Sequence, residues 1–194
     1  MTLANPPCRL NPCRFPLPRR FLVTDDQRCP NPLPLLRRLS AGDGVLFRHY
    51  QHPERDKLAR LTARLCREKR LRLIIAADWR LAARLHADGV HLPQNLGQSG
   101  LLAPLRLWCR RHRTIISMAC HDRRALTNAA RLGANLVTLS PVFPTASHPT
   151  ARGLGACRFA QWARLCPLPV LALGGIRPST VKSLRYAHGI AATV

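Results

Sequence analysis

Acidic residues are scarce in this chain. Nine stand against 31 basic residues, for a formal net charge of +22. Lysine is nearly absent from the basic set: Lys57, Lys69 and Lys182 are the lysines, and every other basic residue is an arginine. Such a surface attracts polyanions. The arginines are scattered, however, and their longest runs are pairs such as Arg19-Arg20, Arg37-Arg38 and Arg110-Arg111. Aromatic residues make up only 5% of the chain, which leaves little for bases to stack on. Nucleic acid is therefore not an expected partner. No apolar run approaches the ~20 residues that span a bilayer. The first residues also lack the continuous apolar segment of a secretory signal. A cytoplasmic protein without a membrane partner is expected. None of the eight cysteines forms a Cys-x-x-Cys pair, which disfavours a structural zinc site. Cys66, Cys109 and Cys166 fall on apolar helical faces and read as small buried hydrophobes with reduced thiols.

What is present is a rhythm. Hydrophobic residues account for 46% of 194 positions, enough for one domain with a substantial core. Residues 1–20 are rich in proline and arginine and read as an irregular tail; residues 21–194 form the domain. Apolar, β-branched runs predict strands over 21–25, 45–50, 71–77, 89–92, 114–119, 135–139, 169–173 and 189–194. Between them, helices are predicted over 33–39, 54–70, 79–87, 101–112, 122–132, 157–165 and 178–187. Leu58, Leu61 and Leu65 are expected on the buried face of the second helix, and Gly133 at the C′ position of the fifth. This alternation predicts an α/β fold: a minimal (β/α)8 TIM barrel lacking the eighth helix. The uncovered first and last strands are expected to be screened by the tail or by a second subunit.

In such barrels the active site lies at the C-terminal ends of the strands. Arg48 shares one face of the second predicted strand with Leu46 and Tyr50, where a guanidinium pointing into the barrel mouth suits a phosphate; a salt bridge to Asp25 or Asp78 is the alternative. Asp78 follows the third strand and is a candidate Mg²⁺ ligand, or else the N-cap of the helix starting at Trp79. Gly174 and Gly175 follow the seventh strand, where backbone can approach a phosphate closely, or simply turn. His121 and His148 lie past the fifth and sixth strands, and either imidazole could act as general acid or base, or cap a helix or lie on the surface. His91, within the fourth strand, reads as a core histidine. The loop "SPVFPTASHP" (140–149) is stiffened by three prolines and carries Thr145 and Ser147.

The segments "GVHLPQ" (89–94), "GANLVTLSPVFPTASHP" (133–149) and "PVLALGGI" (169–176) resemble the thiamine-phosphate synthase/TenI superfamily, in register from "FLVTD" to "GIAATV". The resemblance implies a (β/α)8 barrel, commonly dimeric. It implies as substrate a phosphorylated thiazole, with a pyrimidine pyrophosphate as second substrate in the synthase, whose coupling reaction is assisted by Mg²⁺. Thr145 and Ser147 match the hydroxyls of the loop after strand six, and Gly174 and Gly175 its phosphate cradle. Arg48 and Asp78 are retained. Leu46 and Tyr50 stand where the synthase has glutamine and lysine, Leu96 where it has a second aspartate, Ala119 where it has serine, and His148 where it has lysine. His121 matches the histidine of a TenI-like thiazole tautomerase, which moves a proton on a thiazole carboxylate phosphate. Proton transfer on a phosphorylated thiazole is therefore expected. Coupling of the two substrates, and binding of a thiazole or thiamin phosphate without catalysis, are the alternatives.

Overall fold

The computed structural model describes residues 16–94, 102–145 and 152–193. Eight strands close a barrel in sequence order: β1 (Arg20–Val23), β2 (Gly44–Phe47), β3 (Arg72–Ala76), β4 (Gly89–Leu92), β5 (Ile115–Cys120), β6 (Leu136–Leu139), β7 (Val170–Leu173) and β8 (Gly189–Thr193). Every pairing is parallel, and β8 returns to β1 with Arg20 opposite Ile190 and Val23 opposite Thr193. The helices are α1 (Leu33–Leu36), α2 (Arg55–Glu68), α3 (Trp79–Arg84), α4 (Leu102–His112), α5 (Arg123–Arg131), α6 (Gly155–Leu165) and α7 (Pro178–Val181). The α/β barrel expected from the alternation is the fold observed. None of the described helices is long and apolar enough to cross a membrane.

Successive strand residues face opposite sides, and this divides the core in two. Phe21, Val23, Leu46, Ile74, Ile115, Leu136 and Leu171 fill the barrel interior. Their neighbours Val45, Phe47, Leu73, Ile75, Ile116, Val137 and Val170 pack outward against the helices. Burial on both faces explains why these strands read as continuous apolar runs rather than alternating ones. At the N-terminal end, Leu17 packs against the interior cluster, and the Arg19 carbonyl accepts the Ile190 amide at 2.8 Å. Leu17 and Arg19 thus contact the barrel just before β1 begins at Arg20. Residues 1–15 lie outside the described residues.

Two local expectations need correction. The buried face of α2 is Leu58, Ala59, Thr62, Ala63 and Cys66, whereas Leu61 is 44% exposed. Small residues let α2 sit close to the strands, so the packed stripe is rotated away from Leu61. The last helix stops at Val181 rather than 187; none of its residues is buried, and without an apolar face a short helix gains little from packing. Gly133 does adopt the left-handed conformation expected of it (φ 79°). Cys66, Cys109 and Cys166 are buried, and burial pushes the Cys66 thiol up to about 12.

Candidate functional site

A cavity of about 1020 Å³ opens at the C-terminal ends of the strands. That is ample for a phosphorylated heterocycle. Its lining includes Arg48, His121, Thr145, Gly174 and Gly175, so five of the eight candidate residues meet around one space. Ser147 and His148 lie outside the described residues. Asp78 borders a separate recess beside Tyr50, Arg55 and Arg84.

His121 follows β5, and its ring is fixed from the neighbouring strand. Nδ1 lies 2.8 Å from the Ser140 carbonyl oxygen and 3.3 Å from the Ser140 hydroxyl. A carbonyl can only accept, so in the neutral ring Nδ1 carries the proton and Nε2 the lone pair. Gln94 holds the same turn from the other side. Its Oε1 accepts the His121 amide at 2.9 Å, and its Nε2 donates to Asp122 at 3.0 Å. Asp122 in turn caps α5 by accepting the Ala125 amide at 2.8 Å. The motif "GVHLPQ" thus positions His121 through its last residue, a role that no local pattern signals.

Arg48 donates to Asp25 at 2.7 Å. Burial alone would raise the Asp25 carboxyl, but hydrogen bonds from Arg48 and from the Gln27 and Arg28 amides outweigh it and hold the group below its ordinary range. Both side chains keep about a quarter of their surface exposed, so the guanidinium still faces the cavity. Arg28 and Arg177 complete a cationic rim. Below them, His91 is buried, with Nδ1 3.0 Å from the Ser117 hydroxyl. Burial first, then the charges of Arg48 and His121, push His91 down to about 4, so it is neutral at pH 7.

The double glycine seats the loop that follows β6. Gly174 and Gly175 have φ of 96° and 63°, and the Gly174 carbonyl accepts the Phe143 amide at 3.1 Å. A Cβ on Gly175 would lie 2.4 Å from the Pro144 carbonyl oxygen. Glycine is required by both conformation and proximity.

The carboxylate expected to hold magnesium is otherwise engaged. Asp78 Oδ1 caps α3 by accepting the Leu81 amide at 2.9 Å, and Oδ2 pairs with Arg55 at 3.0 Å. Position 96 is Leu96, which has no oxygen to offer. Among the described residues, no group of three or more His, Cys, Asp or Glu could hold a metal ion. These residues do not fit the two-carboxylate magnesium site that the resemblance implies.

The family model described as "Thiamine monophosphate synthase" matches residues 21–193, the whole barrel. The chain belongs to this family. The thiamine-phosphate synthase of Xanthomonas campestris pv. campestris is 33% identical over 174 residues, covering 84% of this chain and 79% of that protein. The fold is shared with thiamine phosphate pyrophosphorylase from Pyrococcus furiosus (TM-score 0.71, 21% identity, covering 90% of this chain and 85% of that one). It is shared too with 3-keto-L-gulonate-6-phosphate decarboxylase from Vibrio cholerae (TM-score 0.66, 11% identity, 92% and 88%). The thiamine monophosphate synthase family works in thiamin biosynthesis, on small phosphorylated molecules.

Proposed function

We propose that this protein acts on a phosphorylated thiazole and transfers a proton on it, with His121 as the proton carrier. The observation that carries this reading is the fixed tautomer of His121 on the cavity wall. With Nδ1–H donated to the Ser140 carbonyl, Nε2 is the basic atom. It can take a proton from one ring position and return it to another, so that substrate and product differ only in where one hydrogen sits. Arg48, Arg177 and the loop carrying Thr145 supply the electrostatic grip for a phosphate. This chemistry asks for an anchored phosphate and one acid/base group.

Coupling of a pyrimidine pyrophosphate to the thiazole is the second reading, favoured by the name of the Xanthomonas relative. It asks more of this site. A departing pyrophosphate needs several cations about it; Tyr50 and His148 stand where the resemblance implies lysines, and Leu96 where it implies an aspartate that would hold magnesium. Incubating the purified protein with a thiazole carboxylate phosphate, alone and with the pyrimidine pyrophosphate, separates the readings. Solvent-deuterium incorporation into the thiazole, followed by NMR and abolished by His121→Ala with binding retained, supports proton transfer. Release of pyrophosphate at a comparable rate overturns it in favour of coupling. Binding without either reaction overturns both.

A further inference from the structure

Among the described residues that line the cavity, Thr138 has a buried hydroxyl with no protein partner, as Asp26 has a buried carboxylate oxygen with none. Thr138 is 2% exposed, it lines the cavity, and its Oγ1 has no hydrogen-bond partner. Its register explains why. On the interior face it sits between Ala119 of β5 and Leu171 of β7, and neither side chain carries a polar atom. Nearby polar groups on the neighbouring strands are matched: His91 with Ser117, and Ser140 with His121. A buried hydroxyl without a partner opposes folding, and valine would fill the same space without that cost. The Thr62 and Thr114 hydroxyls are buried without a protein partner as well, but only Thr138 among these threonines borders the cavity, where an entering polar atom could complete its hydrogen bonding.

We propose that Thr138 is a ligand-recognition residue, donating to or accepting from an uncharged polar atom of a bound heterocycle, such as a ring nitrogen or an exocyclic amino or hydroxyl group. This rests on the reading that the cavity takes a phosphorylated heterocycle. The surroundings select the charge. The strand neighbours Ala119 and Leu171, and Leu173 beyond them, offer only apolar surface. An ionised group beside these apolar side chains would lose its hydration, while a neutral donor or acceptor would find the hydroxyl. The phosphate then stays at the arginine rim, and the ring is oriented by its other edge. Thr138 thus sets which heterocycle fits and which way round.

Thr138→Val and Thr138→Ser test this, with calorimetric binding of the thiazole phosphate, the pyrimidine phosphate and their unphosphorylated alcohols. The valine variant is expected to melt at or above the wild-type temperature, yet to bind the preferred ring about tenfold more weakly, with the loss present for the phosphate and the bare alcohol alike. The serine variant keeps the hydroxyl and is expected to bind within about threefold of wild type. If wild type binds and the valine variant binds equally well, the assignment of Thr138 fails while the reading of the cavity stands. If wild type binds none of the four compounds, the reading of the cavity fails and takes this assignment with it.

Discussion

The Nδ1 atom of His121 lies 2.8 Å from the carbonyl oxygen of Ser140, linking two residues just past the ends of neighbouring strands. The backbone amide of the same histidine is gripped by Gln94. Ring and backbone are therefore fixed independently, one from β6 and the other from the loop after β4. Replacing Gln94 removes the second hold without touching the ring. Gln94→Ala is expected to lower kcat several-fold with KM nearly unchanged. Gln94→Glu is expected to be worse, because it sets a carboxylate against Asp122. Steady-state kinetics on both variants checks the order; equal activity in both would show that the amide does not position His121.

Arg48 is shared between Asp25 and whatever anion enters. Arg48→Ala should weaken phosphate-ligand binding by about 10- to 100-fold, the worth of a charge-assisted hydrogen bond. Asp25→Asn frees the guanidinium and should strengthen binding several-fold. Opposite effects from the two variants in a calorimetric titration identify Arg48 as an anion ligand. A loss of stability in both, with affinity unchanged, would leave it a purely structural pair.

His91 makes the fold acid-sensitive. Its folded pKa is depressed to about 4, whereas the unfolded value is about 6.5. Above pH ~6.5 both states are neutral and this group is silent. As pH falls from there toward 4, the unfolded chain binds a proton that the fold refuses, and stability drops by roughly 3 kcal/mol in all. His91→Asn keeps a polar partner for Ser117 and removes the titration. Denaturant midpoints measured from pH 7 to pH 4 should fall less steeply in this variant than in wild type.

Gly175 joins backbone conformation to loop placement. Gly175→Ala forces a side chain into the left-handed region, costing about 1–2 kcal/mol, and drives its Cβ against the Pro144 carbonyl. The expected outcome is a lower melting temperature together with weaker phosphate binding, since the loop carrying Thr145 must move. Gly155→Ala is the control. It has a similar φ of 74° but open space around the Cβ, so it should cost stability while leaving binding intact.

Much of the barrel was legible in the chain because its determinants are local. Short apolar strands at regular intervals, helices between them and Gly133 at a helix end each follow from a handful of adjacent residues. The rim was legible too, once the fold fixed which end of each strand to inspect. Leu61 shows the limit. Helical periodicity places it beside Leu58, but the small residues Ala59 and Ala63 decide which side of α2 can approach the strands.

Sequence alone determined the alternation of strands and helices, the family resemblance and the candidate set Arg48, His121, Thr145, Gly174 and Gly175. It left pairs of outcomes open at Arg48 and Asp78, because either could meet more than one distant partner. Tertiary structure decided those. It gave Asp25 to Arg48, turned Asp78 into a helix cap bound to Arg55, and set Gln94 behind His121. It also left Thr138, on the cavity wall between Ala119 and Leu171, with a buried hydroxyl that has no protein partner. The physical reason is range: propensity and periodicity act over a few residues, whereas a hydrogen bond across the barrel depends on strand register between segments more than 20 residues apart.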